Sequence, residues 1–138
     1  MIRTLLVGAA LVTATGAVAQ TAEQLRQGMI AAAGCPANAP YTTIRHNSIM
    51  PGKWAEFQQA VAEHQAWYAK HGDKTTNKIA RMMEVRNGAA VPSEAEAVTI
   101  TQYSGKPQPA HDAAYEAFTA KYRASAVIKD EMRVCLPK

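Results

Sequence analysis

The chain has 138 residues, a formal net charge of +4 and charged residues at 19% of its length, so it is neither an acidic disordered tail nor a strongly basic strip. Its basic residues are interspersed with acids rather than clustered, which excludes the footprint of a nucleic-acid binder. No Gly-rich phosphate loop, Gly-x-Ser-x-Gly, Cys-x-x-Cys or His-Glu-x-x-His is present, which disfavours nucleotide enzymes and the common hydrolases.

The first nineteen residues read as a cleavable secretory signal. Arg3 supplies the positive start, Leu5 to Val12 the apolar run, and Ala17-Val18-Ala19 the small residues before a cut at Gln20. The run is too short and too interrupted to span a bilayer, and no later segment is long and apolar enough, so no stable membrane insertion is expected once the signal is gone. The mature chain of 119 residues is then one domain with a net charge of +3, secreted or periplasmic. Its two cysteines, Cys35 and Cys135, lie far apart in an oxidising compartment, where an even count favours a disulfide over two buried thiols. A metal pair would need closer spacing.

In chain order, residues 20–40 form an N-terminal appendage: a short helix over Thr21–Ala33, capped by Thr21 with Gln24 three residues on, then a Pro-rich linker. The folded domain spans 41–138. Its first strand is Tyr41–Ile49, broken by Pro51-Gly52. Lys53–His71 is a helix with Trp54, Phe57, Val61, Gln65 and Tyr68 on one stripe. Lys78–Val85 is the second strand, Asn87-Gly88 a hairpin signal, and Pro92-Ser93 part of an arm. Glu96–Tyr103 is the third strand. His111 to about Ile128 is a second amphipathic helix, with Tyr115, Phe118 and Tyr122 on one face. Met132–Leu136 is a short last strand. The fold class is therefore α+β: a ferredoxin-like β-α-β-β-α-β sandwich with an extra N-terminal helix. Neither face of the first three strands is purely apolar, which suits a partner sheet or a ligand cavity, so a homodimer is expected.

At this point the chain resembles the dimeric α/β-barrel superfamily, in particular its small stress-responsive and NIPSNAP-like members. The resemblance covers about residues 41–137. It rests on the first strand running into Met50-Pro51-Gly52-Lys53-Trp54-Ala55-Glu56-Phe57, on His64-Gln65-Ala66-Trp67-Tyr68-Ala69-Lys70-His71-Gly72 closing the helix, and on the Tyr103 strand followed by a helix. It implies two sheets paired into a barrel, with a ligand held between sheet and helices. Members of that superfamily include cofactor-independent monooxygenases and haem-binding or haem-degrading enzymes. The export signal, N-terminal helix and cysteine pair depart from its simple cytoplasmic members.

The candidate chemistry is sparse. His64, beside the apolar stripe of the first helix, is the one candidate for a general base or an axial haem ligand, weighed against a histidine bonded at the border of the core. Arg45, His46, Tyr68, Arg81 and Tyr103 are candidate ligand-binding groups, with Glu84, Thr99 and Thr101 as further polar strand groups and cross-strand pairing as the plain alternative for the strand residues. Trp54, Trp67, Tyr68, Tyr115, Phe118 and Tyr122 are weighed as pocket lining against core. Trp67, off the main stripe, is the aromatic expected to be exposed or to face a ligand. His46 with Met50, and Met82-Met83, are soft enough for copper, but nothing repeats and no metal site is assigned. The expectation is an exported protein that binds a small apolar or aromatic ligand without catalysis of its own and needs no cofactor. A cofactor-independent monooxygenase or haem-handling enzyme is the first alternative, and a structural envelope-stress protein the second.

Overall fold

The first strand is the hub of the sheet. In the computed structural model, which describes residues 34–137, β1 (Tyr41–Ile49) is flanked on one side by β3 (Ala89–Gln102) and on the other by β4 (Ala126–Cys135). β2 (Thr76–Arg86) pairs only with β3, giving the order β2-β3-β1-β4 with every pairing antiparallel. The helices α1 (Trp54–Lys70) and α2 (Ala113–Ser125) follow β1 and β3. The architecture is α+β, compatible with a ferredoxin-like fold. The secretory signal and the N-terminal helix expected over residues 21–33 lie outside the described residues.

The turns follow from local chemistry. Between β1 and α1, Pro51 and Gly52 form a tight turn closed by the Lys53 amide on the Met50 carbonyl at 2.9 Å, and Gly52 takes the positive φ of 73° that such a turn needs. Asn87 (φ 52°) and Gly88 (φ 79°) make the two-residue hairpin turn between β2 and β3, whose twist matches that of the strands.

Three elements differ clearly in extent from the sequence expectation. The stretch through Pro92 and Ser93, expected as an arm, is strand: β3 begins at Ala89 and keeps pairing with β2 across a register shift between Arg81 and Met83. Such an irregularity is where a strand tolerates Pro, and the Ser93 hydroxyl takes up the amides of Ala95 and Glu96, both at 3.1 Å. The second helix is shorter than expected and the last strand longer. Asp112 is the N-cap, accepting from the Tyr115 amide at 2.9 Å, and the helix stops at Ser125, whose carbonyl receives the Met50 amide. Val127 and Ile128 are β-branched, and β4 begins at once opposite Ile49.

Two apolar clusters bind the helices to the sheet. Phe57, Val61, Ile49 and Ala97 form one; Trp67, Tyr68 and Phe118 form the other, between the helices. Trp67 is 3% exposed. The expectation of an exposed aromatic there is overturned, because its ring packs against Tyr115 and Phe118 and its Nε1 donates to Asp112 Oδ1 at 2.9 Å. Asp112 thus caps one helix and satisfies the indole of the other. Asp112→Ala is expected to destabilise the protein, because it removes the helix cap and leaves the buried Trp67 Nε1 donor without its partner. The melting temperature should fall by about 5–10 °C. A change under about 2 °C would show that water replaces both bonds at no cost.

The two faces of the sheet carry an unexpected division. The face under the helices holds Thr43, Arg45 and Asn47 of β1, Asn77 of β2, and Thr99 and Thr101 of β3, as the register requires. These are polar, and all but Arg45 are buried, while Ile49, Ile79 and Ala97 on the same face give the first cluster its apolar seat. The opposite face carries Ile44, Val98 and Ile100 with Met132, Val134 and Val127, beside His46, Ser48, Glu96 and Asp130, and no described helix or strand covers it. Met132 and Val127 are 54% and 57% exposed there.

Candidate functional site

The polar face does not close against the helices. A cavity of about 440 Å³ lies between them, within the usual range for small-molecule sites. Its sheet side is Arg45, Asn47, Asn77 and Thr99. Its helix side is His64 from α1 and Tyr115, Phe118, Tyr122 and Arg123 from α2, with Ile128 and Glu131 of β4 at one end. α1 brings His64 here because it sits three residues after the core residue Val61 and four before the core residue Tyr68, on the edge of the same stripe.

His64 lies between two aromatic rings. It stacks on Phe118 at 4.5 Å between centroids and on Tyr68 at 5.0 Å. Its Nδ1 is 3.2 Å from Asn77 Nδ2 and 3.4 Å from the Tyr122 hydroxyl. Asn77 Nδ2 also donates to that hydroxyl at 3.1 Å, while Asn77 Oδ1 accepts from Thr101 Oγ1 at 2.9 Å. Both neighbours can donate, so Nδ1 is the acceptor, and the neutral ring carries its hydrogen on Nε2. Burial, with Arg45 adding a repelling charge, lowers the His64 pKa to about 4, so the ring is neutral at pH 7. Burial pushes the Tyr122 phenol up, well above its ordinary value, and it stays protonated.

Arg45 is held from β4. Its Nε donates to Glu131 Oε2 at 2.7 Å, and the other oxygen of Glu131 receives Arg133 Nε at 2.9 Å. Burial works to raise the Glu131 pKa, but Arg45 and Arg133 outweigh it and hold the carboxyl below its usual range. Asn47 steadies the floor, donating to the Arg45 carbonyl at 2.8 Å and to Thr99 Oγ1 at 3.2 Å.

Of the residues singled out from sequence, the fold brings Arg45, His64 and Thr99 into this cavity with Tyr115, Phe118 and Tyr122, and Tyr68 directly behind His64. The others go elsewhere. His46 is on the uncovered sheet face, with Nε2 3.4 Å from Glu96 Oε2. Arg81 lies over the Trp54 ring at 4.3 Å and donates to Glu94 at 3.1 Å. Tyr103 packs against Tyr41 in a tilted contact at 5.5 Å between centroids, beside a second, wider groove that also meets Cys35. Trp67 is in the core. Sequence reasoning passed over Asn47, Asn77, Arg123 and Glu131. The signal that points to three of the sheet residues is the alternation itself: Thr43, Arg45 and Asn47 occupy one face of a strand whose partner, through Thr99 and Thr101, is polar on the same face.

The Cys35–Cys135 disulfide is present, with Cα atoms 5.5 Å apart. Among the described residues no group of three or more His, Cys, Asp or Glu side chains could hold a metal ion, and no helix is long and apolar enough to cross a membrane. A haem does not suit the cavity. Its macrocycle needs apolar surface on both faces, whereas one wall here is Arg45, Asn47, Asn77 and Thr99. No protein-family model matches the chain, and no curated protein matches it in sequence.

Proposed function

We propose that this is an exported small-ligand-binding protein of the dimeric α/β-barrel type, which holds its ligand in the cavity between helices and sheet and does no chemistry on it. The observation that carries the reading is the buried polar floor beneath the helices. Arg45, Asn47, Asn77 and Thr99 occupy positions that a simple two-layer core would fill with aliphatic residues, and they surround open space. A ligand site needs a few placed polar groups in a largely apolar surround. Binding is favoured over base catalysis by His64 itself. A general base works best with a pKa near the operating pH, and burial together with Arg45 holds this one near 4.

The homodimer is supported by the other face of the sheet. Ile44, Val98, Ile100 and Met132 form an apolar surface with no cover among the described residues, and a second copy laid on it would bury both. Export is supported by the disulfide, since such bridges persist in oxidising compartments.

Native mass spectrometry of the protein purified from that compartment tests these points together. The expected species is a chain beginning at Gln20, two hydrogens lighter than the reduced form, as a dimer with extra mass bound to each subunit. A full-length or monomeric species with nothing bound would overturn the reading. A Soret absorption band or turnover of an aromatic substrate would favour the haem or monooxygenase alternative.

A further inference from the structure

We infer that the cavity takes a small organic acid, a carboxylate carried on a flat apolar body, with the acid on Arg45 and Arg123 and the body against Tyr115 and Ile128. The inference rests on the ligand-binding reading of the cavity and adds the chemistry of the ligand.

The first argument is donor supply. Arg45 spends only Nε on Glu131, and its two Nη groups make no hydrogen bond among the described residues. A guanidinium offers five N–H groups in a planar fork matched to a carboxylate, so one at a cavity wall with its terminal groups open is a ready acid site. Arg123 lines the same cavity from α2, is exposed and has no ion-pair partner among the described residues. His64, with Nδ1 occupied, has an N–H left at Nε2.

The second argument is charge. Glu131 is the one acidic residue lining the cavity, and Arg45 and Arg133 already engage both of its oxygens. Two guanidinium groups against one committed carboxylate leave the site positive, which repels cations and attracts anions. The same field acts on His64, for which Arg45 is the repelling charge. The third argument is shape: Tyr115 and Ile128 line the same cavity as the two guanidinium groups with ring and aliphatic surface, which suits a flat apolar body.

Isothermal titration on the oxidised protein at pH 7.5 tests this with 2-naphthoate, its neutral counterpart 2-naphthalenemethanol, and the cation 2-naphthylmethylammonium. The acid is expected to bind at least tenfold more tightly than the alcohol, with the cation weakest. Arg45→Gln should erase the preference for the acid, so that acid and alcohol bind within about twofold of each other. Arg123→Gln changes an exposed residue that the fold does not depend on, and should weaken the acid alone by threefold or more. Equal binding of acid and alcohol, tighter binding of the cation, or an acid preference unchanged in both variants would overturn the inference and leave the cavity a ligand site. Binding of none of the three would overturn both.

Discussion

Reducing the Cys35–Cys135 bond is expected to lower stability by about 3–4 kcal/mol, one of the two largest single effects in this molecule. The bond spans 100 residues of sequence and so closes nearly the whole described domain into one loop. In the chain-entropy account a loop of that length is worth about 4.7 kcal/mol, with practice falling somewhat below. Cys35 also lies outside the sheet, in the linker before β1, whereas Cys135 pairs with Tyr41 at the end of β4. Besides restricting the unfolded chain, the bond therefore fastens the linker across a strand end that the ladder alone would leave to fray. Denaturant and thermal melts of the oxidised protein, the reduced protein and the Cys35→Ser/Cys135→Ser variant check it. The two disulfide-free forms should agree with each other and melt about 15 °C below the oxidised one. A loss under about 1 kcal/mol would mean that the unfolded chain is already compact enough for the loop to constrain little.

The second large effect is a loss of stability in mild acid centred on His64. An unfolded histidine titrates near 6.5, whereas burial, and Arg45 next to it, hold the folded ring near 4. The folded state thus resists the proton that the unfolded state accepts. Stability is full above about pH 6.5, falls as pH drops below it, and stops falling on this account below about 4. Over that window the loss approaches about 3 kcal/mol, at roughly 1.36 kcal/mol per pH unit. The groups facing the ring explain why it does not relax to accept the charge. Arg45 is a cation, Tyr122 and Asn77 point donors at Nδ1, and Glu131, the nearest acid in the cavity, is already committed. Glu131, Glu96 and Asp112 are held below their ordinary values, so what they contribute is lost only as pH falls further. The interval from 6.5 to 5 therefore keeps these carboxylates out of the change, and comparison with His64→Phe isolates the histidine. Urea melts at half-unit steps should show a sloping stability in the wild type and a flat one in His64→Phe, which keeps the aromatic stack. A His64→Phe profile parallel to the wild type would place the titration elsewhere.

The order of elements was legible from sequence because each rests on a local rule. Lys53–His71 announces itself by an apolar stripe and a Gly stop, and the observed helix is Trp54–Lys70. The hairpin follows from Asn87-Gly88, since only residues at ease with positive φ make that turn. The pairing of Cys35 with Cys135 followed from an even count and an inferred compartment. Each of these properties belongs to a short stretch or to composition, so neighbours in space have no vote.

Tertiary structure decided the rest. A strand's alternation says that Arg45 and Asn47 share a face but not which face the helices cover, and here they cover the polar one. Periodicity set Trp67 off the stripe, yet a second helix arriving from 45 residues away buries it and bonds it to Asp112. Arg45, His46, His64, Arg81 and Tyr103 looked alike as polar groups on elements of one domain. Sheet order sends the first and third to one cavity, His46 to the opposite face, Arg81 onto Trp54 and Tyr103 onto Tyr41. Even the length of β4 was a tertiary matter: residues 126–131 carry mixed signals on their own and become strand because β1 offers them a free edge. Which residues share a site is set by long-range register and layer packing, and a single sequence records those only through the periodicities that each element carries.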